Sequence, residues 1–374
     1  MLFALGLAAA CETAIIATKS YKLSHKPWSY EIPPPSGRDL SGTIPFTLQN
    51  TLVGDEYGRL TVSDGRLLMA GEGHQNGSVL VWSCGESCRS GVLLKGNSVS
   101  ESFGSSTAMA GSVIAVAAPT FGAKLQGRVD IYSGLRLIQE IHGKKEDGFG
   151  QTVAMSPDGG TLVIGTHQGT THVYKRLHGT CSYKRLRSYS VQAVCVQVTN
   201  ECIYISTPEA VYRYDGRKQT MILPQGNAKI MVSGDTVVIG LPRVNDFDGT
   251  VLVIRNEHAQ SLLRPTTNGM LFGMAVSISP NGKYVAVGAP AANKTFVYEL
   301  NESSGEYDLV QQIENSTVYE EFGNDVHVSN TQLYVSSCYS EQIGKGCVRQ
   351  YTNEIRRMPD RSNVLQGEDE KDPK

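Results

Sequence analysis

Eight histidines, eight cysteines and 36 carboxylates are the groups in this chain able to do acid–base, nucleophilic or metal chemistry. Their spacing gathers few of them. The run Asn245-Asp246-Phe247-Asp248-Gly249 carries two carboxylates two residues apart. Two carboxylates are too few oxygens for a Ca²⁺ cage, so the run reads as a solvated turn. His74, His142 and His167 fall in loops that can share one end of a fold, where three imidazoles would hold a metal. His172 and His327 fall inside apolar strands and read as packed or surface residues. A Gly-x-Ser-x-Gly elbow, a phosphate-binding Gly-rich loop before a helix and a His-Glu-x-x-His pair are all missing. The expectation is a chain that is not an enzyme, with no catalytic residue, no metal and no cofactor assigned.

The elements that hold these residues repeat. One unit reads Phe272-Gly273, a short strand Ala275 to Ser279, the turn Pro280-Asn281-Gly282, a second strand Tyr284 to Gly288 running into Gly288-Ala289-Pro290, and a third strand Thr295 to Tyr298. Another reads Phe149-Gly150, Thr152 to Ser156, Pro157-Asp158-Gly159, Leu162 to Gly165, and His172-Val173-Tyr174. Asp-Gly and Asn-Gly supply the positive φ that a two-residue hairpin needs. The strands are four to six residues long and rich in Val, Ile and Tyr. Further aromatic-Gly marks stand at Tyr57-Gly58, Phe103-Gly104 and Phe322-Gly323. Two units between 180 and 255 keep the strands but lose the mark. Seven units at spacings of about 40 to 53 residues indicate a propeller or an array of sheets. A fourth strand, such as Leu135 to Ile141 or Tyr307 to Ile313, separates each unit from the next. The last unit has none after it, while a matching strand, Ile44 to Leu52, precedes the first. That N-terminal strand is expected to complete the last blade and close the ring, which removes open sheet edges.

The Phe-Gly pairs, together with Gly288-Ala289-Pro290, Ala117-Ala118-Pro119 and Gly240-Leu241-Pro242, resemble the FG-GAP repeat family of integrin alpha chains. The resemblance covers about four-fifths of the chain and implies an all-β, seven-bladed β-propeller with four-stranded blades. It also implies a role in binding ligands or partners outside the cell, an inference from analogy of fold alone. Several repeats of that family carry an Asp-rich loop that binds Ca²⁺. The corresponding positions here, Ser63-Asp64-Gly65 or Pro280-Asn281-Gly282 for example, offer at most one carboxylate each, so no such site is expected.

The repeats place the cysteines. Cys338 ends a second strand and Cys347 begins the paired third strand, which suits a cross-hairpin disulfide. Cys84 and Cys88 can close a small loop, and Cys195 and Cys202 lie on neighbouring strands of one hairpin. Cys181 is the candidate odd thiol if Cys11 is removed with a signal segment. Cys-x₃-Cys also occurs in zinc sites, but no second ligand pair accompanies it. Four sequons, at Asn76, Asn293, Asn301 and Asn315, mark candidate glycosylation sites.

Domain boundaries follow from composition. Residues 1–21 are an apolar segment, a signal peptide or an N-terminal hydrophobic anchor. Residues 22–43 are a Pro-rich linker, 44–352 the propeller, and 353–374 a charged tail with too little apolar surface to fold. A net charge of −2 gives no electrostatic case for nucleic acid. Membrane contact is expected only if the N-terminal segment is retained.

The leading expectation is a secreted or cell-surface module that binds a protein or glycan without catalysis. The alternatives are a propeller hydrolase or lyase with a site at the central channel, and a structural component of a surface assembly. The loops after the second strands supply the candidate ligand-binding residues: Phe121 and Lys124 in one, Arg243, Asp246, Phe247 and Asp248 in the other.

Overall fold

A computed structural model describes residues 45–353, apart from short gaps at 55–56, 64–65, 72–76, 85–87, 98–100, 257, 266–269, 316–319 and 341–344. The apolar start, most of the Pro-rich linker, the charged tail and the sequon at Asn76 therefore lie outside the described residues. Every described strand belongs to an antiparallel four-stranded sheet, and there are seven such sheets. Six are consecutive meanders: blade 1 over 57–95, blade 2 over 107–142, blade 3 over 152–189, blade 4 over 195–223, blade 5 over 229–263 and blade 6 over 275–314. Blade 7 combines Val326–Val328, Gln332–Ser340 and Lys345–Thr352 with the N-terminal strand Thr47–Gly54, whose Leu48 lies opposite Tyr351.

Burial explains the strand chemistry. The second strands Val113–Ala118, Thr161–Gly165, Ile203–Ser206, Thr236–Leu241 and Tyr284–Ala289 are buried at every residue. Each is covered on both faces by neighbouring sheets, so its sequence is continuously apolar rather than alternating. The fourth strands lie at the rim and are largely exposed, as in Arg136–His142. The apolar clusters bridge sheets. Val129 and Ile131 of blade 2 pack with Leu162 and Ile164 of blade 3. Val238 and Val253 of blade 5 pack with Val287 and Phe296 of blade 6. Leu52, Tyr334 and Val348 of blade 7 pack with Leu60, Val62 and Leu80 of blade 1. This is a β-propeller with four-stranded antiparallel blades.

The aromatic-Gly mark is the joint between blades. The amides of Gly104, Gly150, Gly273 and Gly323 donate to the carbonyls of Ala117, Gly165, Gly288 and Ser336 at 2.8–3.1 Å, tying each first strand to the end of its own second strand. The preceding phenylalanines 103, 149, 272 and 322 are at most 1% exposed. Gly273 sits at φ +87°, and a Cβ there would stand 3.0 Å from the Thr250 carbonyl oxygen and 3.2 Å from Gly240 Cα of the preceding blade. A Cβ on Gly288 would run into the Gly323 carbonyl of the following blade. Blade 4 keeps the bond without the mark: the Val194 amide donates to the Ser206 carbonyl at 2.8 Å, beside buried Ala193. At the entry of blade 5 the Asn227 amide donates instead to the Thr207 carbonyl of blade 4 at 2.8 Å, and Ala228 is buried.

A charged lock lies beside one joint. Glu320, fully buried, pairs with Arg349 at 3.0 Å and accepts from Asn315 Nδ2. The same guanidinium donates to Ser337 Oγ at 3.0 Å and lies 5.4 Å from the Phe322 ring centroid.

Two outcomes test these joints. Gly273→Ala forces an L side chain into a left-handed, crowded position and should destabilise by about 2 kcal/mol, read as a drop of several degrees in Tm by calorimetry. A shift within about 0.5 kcal/mol would show that the interface has room to relax. Arg349→Met removes the guanidinium that neutralises buried Glu320 and should cost about 3–5 kcal/mol in urea unfolding. Arg349→Met combined with Glu320→Gln should recover most of that loss, because the buried charge leaves with its partner.

Candidate functional site

Connections from second to third strands and from fourth strands to the next blade emerge at one end of every blade. On this loop face the two loops singled out above have the same architecture. Gly127 bridges Phe149, and Gly249 bridges Phe272, each in parallel fashion. The Leu125 carbonyl accepts from the Gly148 amide at 3.1 Å, and the Phe247 carbonyl from the Leu271 amide at 2.9 Å. Leu125 and Phe247 are thus equivalent positions three blades apart. Both are non-glycine residues at positive φ, +49° and +69°, and both are exposed, by 53% and 56%.

The loop of blade 5 carries the greater strain. Asn245, Asp246 and Phe247 are consecutive left-handed residues, at φ +52°, +55° and +69°. The turn closes on itself, since the Asp248 amide donates to the Asn245 carbonyl and the Gly249 amide to the Val244 carbonyl, both at 3.1 Å. A left-handed L residue costs about 1–2 kcal/mol, so three in a row need firm support. Buried Val244 and the bonds from Leu271 and Phe272 supply it. Arg243, Asp246 and Phe247 point into solvent, and Asp248 is half-buried.

The blade 2 loop corrects one expectation. Lys124 is exposed, but Phe121 is not an open anchor. It is half-buried, with the Arg128 guanidinium 4.3 Å from its ring centroid and the His142 ring at 5.5 Å. Arg128 is the hub of a buried charge cluster, 2.7 Å from Asp130, 3.4 Å from Glu101 and 3.8 Å from Glu140. The Arg128–Asp130 contact is an ion pair rather than an aligned hydrogen bond. Burial pushes the Asp130 carboxyl up to about 6 against the opposing pull of Arg128. Phe121 lids this cluster because a guanidinium face is weakly hydrated and stacks well on an aromatic ring. Sequence reading missed the cluster. Its signal was the acidic residue two positions before Phe103, a placement that recurs at Glu320 before Phe322.

The described cysteines do not pair as expected, and two of the three loop histidines are described. His142 stands beside Phe121 and Glu140, His167 is tied by its amide to the Asp147 carbonyl, and His74 lies outside the described residues. Among the described residues no three His, Cys, Asp or Glu side chains come together as a metal site. Cys338 and Cys347 are not bridged. Cys347 lies opposite Ser337, and the ladder is irregular beyond it, so the Cys338 side chain is not the one facing Cys347. Cys195 and Cys202 are also thiols, because Cys195 pairs with Ser206, four residues beyond Cys202. Cys195 Sγ lies near the Ile230 carbonyl, and Cys202 Sγ accepts from Arg213 Nε at 3.3 Å. Cys181 is a free thiol too, its sulfur 3.6 Å from Ser133 Oγ. Cys84 and Cys88 do face one another in the ladder, though their side chains lie outside the described residues.

The three described sequon asparagines are half-buried. Asn293, at φ +53°, accepts from the Phe322 amide at 3.1 Å. The Nδ2 atoms of Asn301 and Asn315, where a glycan would attach, donate to Asp308 and Glu320. Among the described residues no helix is long and apolar enough to cross a membrane.

No family model matches the chain, and no curated protein sequence matches it. Solved structures do. The β-propeller domain of Cps50 (Swd1) from Myceliophteria thermophila superposes with a TM-score of 0.60 at 12% identity, over 82% of this chain and 99% of that one. The WD40 repeats of RRP9 give 0.61 at 14% identity, over 82% and 100%. The WD40 β-propeller domain of Doa1 gives 0.57 at 13%, over 83% and 97%. At such identities the likeness is one of fold.

Proposed function

We propose that this chain is a non-catalytic binding module of FG-GAP type that recognises a protein partner on its loop face. The observation that carries this reading is Phe247, a large apolar side chain 56% exposed on a run of three left-handed residues. Strain of this kind persists only where surrounding structure enforces it, and it clusters at functional positions. Leu125 repeats the device three blades away, and Arg243 and Lys124 flank the two apolar tips. Aromatic and arginine side chains on a rigid scaffold are the usual anchors of protein interfaces. The propeller is read as one seven-bladed ring closed by Thr47–Gly54. The successive contacts of innermost strands, including Tyr57–Ser63 against Val326–Val328, support that reading. FG-GAP kinship rests on the glycine joints described above, and display outside the cell on the apolar N-terminus and the sequons.

Affinity capture followed by quantitative mass spectrometry tests the loop face. Wild type should enrich a protein that Phe247→Asp or Leu125→Asp loses by about tenfold, a change of ~1.4 kcal/mol. Equal capture by all three, with unchanged melting, would overturn the assignment. Intact mass after expression through a secretory pathway, with and without glycosidase, tests the compartment. Loss of the N-terminal segment and added glycan mass are expected. An uncleaved, unglycosylated product would place the protein inside the cell.

A further inference from the structure

A cleft lies between blades 3 and 4. Blade 4 lacks the buried phenylalanine, with Ala193 in its place. Its second and third strands, Ile203–Ser206 and Val211–Asp215, are joined by four residues, 207–210, whereas nine residues, 119–127, join those strands in blade 2. The cleft runs along the outer strands of blade 4; it has a volume of about 610 Å³ and is lined by Ser190, Gln192, Glu209, Tyr212, Tyr214 and Gln219, among others.

The lining has two characters. Tyrosines form one wall. Tyr189 and Tyr214 have ring centroids 4.4 Å apart, and Tyr212 lies 6.4 Å from Tyr214. Tyr189 is anchored by its hydroxyl, which donates to the Gly216 carbonyl at 2.8 Å. Thr207 Oγ1 donates to Glu209 Oε2 at 3.1 Å, which orients the carboxylate. The rest of the polar rim is uncharged: Ser188, Ser190, Gln192 and Gln219. No lysine, arginine or histidine lines the cleft. Among the described residues, Ser190, Gln192, Gln219 and the hydroxyls of Tyr212 and Tyr214 have no side-chain hydrogen-bond partner within the protein.

We propose that this cleft binds a neutral saccharide, with a sugar ring laid on Tyr212 and its hydroxyls bonded by Gln192, Gln219, Ser190 and Glu209. A pyranose presents a C–H face and a rim of hydroxyls that both donate and accept. An aromatic face matches the former, because ring C–H groups carry partial positive charge against the negative π-face. Amides and hydroxyls match the latter, since each can donate and accept as the sugar requires. The single carboxylate suits a pair of adjacent sugar hydroxyls as a charge-assisted acceptor. An anionic ligand finds no cation here. A pocket with aromatic walls and a few converging polar groups is the usual form of a small-ligand site. The cleft is separate from Phe247 and Leu125, so it stands or falls independently of the protein-binding face.

Saturation-transfer NMR on the full chain with maltose, cellobiose, lactose and diacetylchitobiose tests the site. At least one should bind with a Kd of about millimolar, with transfer strongest on the ring C–H protons. Tyr212→Ala should weaken it by about tenfold or more. Exposed Gln192→Ala should weaken it similarly, and it leaves no hole in the core that would unfold the blade. Phe247→Asp should leave it unchanged. No transfer from any of the four sugars, or binding that survives both cleft variants, would overturn the proposal. So would selective binding of an oligoproline peptide in their place, because tyrosine-lined clefts also hold polyproline helices.

Discussion

The structure depends on one contact, repeated in blades 2, 3, 4, 6 and 7: a backbone amide at the blade entry donating to the carbonyl at the end of the second strand of the same blade. In four blades that amide belongs to a glycine, and Gly150, Gly273 and Gly323 press against the preceding blade. The phenylalanine before it fills the space between sheets. Among the described residues no α-helix and no disulfide holds the blades in register. Register and spacing are set together by this contact, which satisfies a buried amide and places an aromatic plug in the same two residues. The apolar second strands can then be covered on both faces, and the solvent-side strands are left free to vary.

Rigidity at the joints lets strain be carried on the loop face. The left-handed run 245–247 survives because its ends are bonded to the entry of blade 6, at Leu271 and Phe272. The loop of blade 2 is laced to the entry of blade 3 in the same way. The joint and the proposed binding face are therefore continuous: the residues that space the blades also hold the exposed tips. Where the joint is reduced, at blade 4, the surface is concave instead of projecting. A propeller of near-identical blades thus acquires distinct sites from small departures in the repeat.

Much of this was readable from residue order. Asn281-Gly282 and Asp158-Gly159 announced hairpins, and both lie in turns, but the loops span four residues, 280–283 and 157–160, rather than two, and only Gly282 and Gly159 take a positive φ. The unit pattern placed the strands, and the unmatched strand at 44–52 pointed to Thr47–Gly54. Cysteine pairing went wrong for a specific reason. Neighbouring strands do not imply neighbouring side chains, and a shift of one or a few residues separates sulfurs that a sequence sets side by side. For Phe121 residue order left binding and capping both open. Its loop is exposed, but its ring folds back over a guanidinium seven residues on.

Residue order alone determined the repeat, the all-β class and the positions where glycine is required, because each is a local property of backbone sterics and periodicity. Only the tertiary structure decided which residues meet: the Arg128 and Arg349 charge clusters, the unbridged Cys195 and Cys202, the equivalence of Leu125 with Phe247, and the tyrosine cleft. These join residues from different strands, loops or blades, often far apart in sequence. Their contacts depend on how sheets pack against one another, and no local propensity encodes that distance.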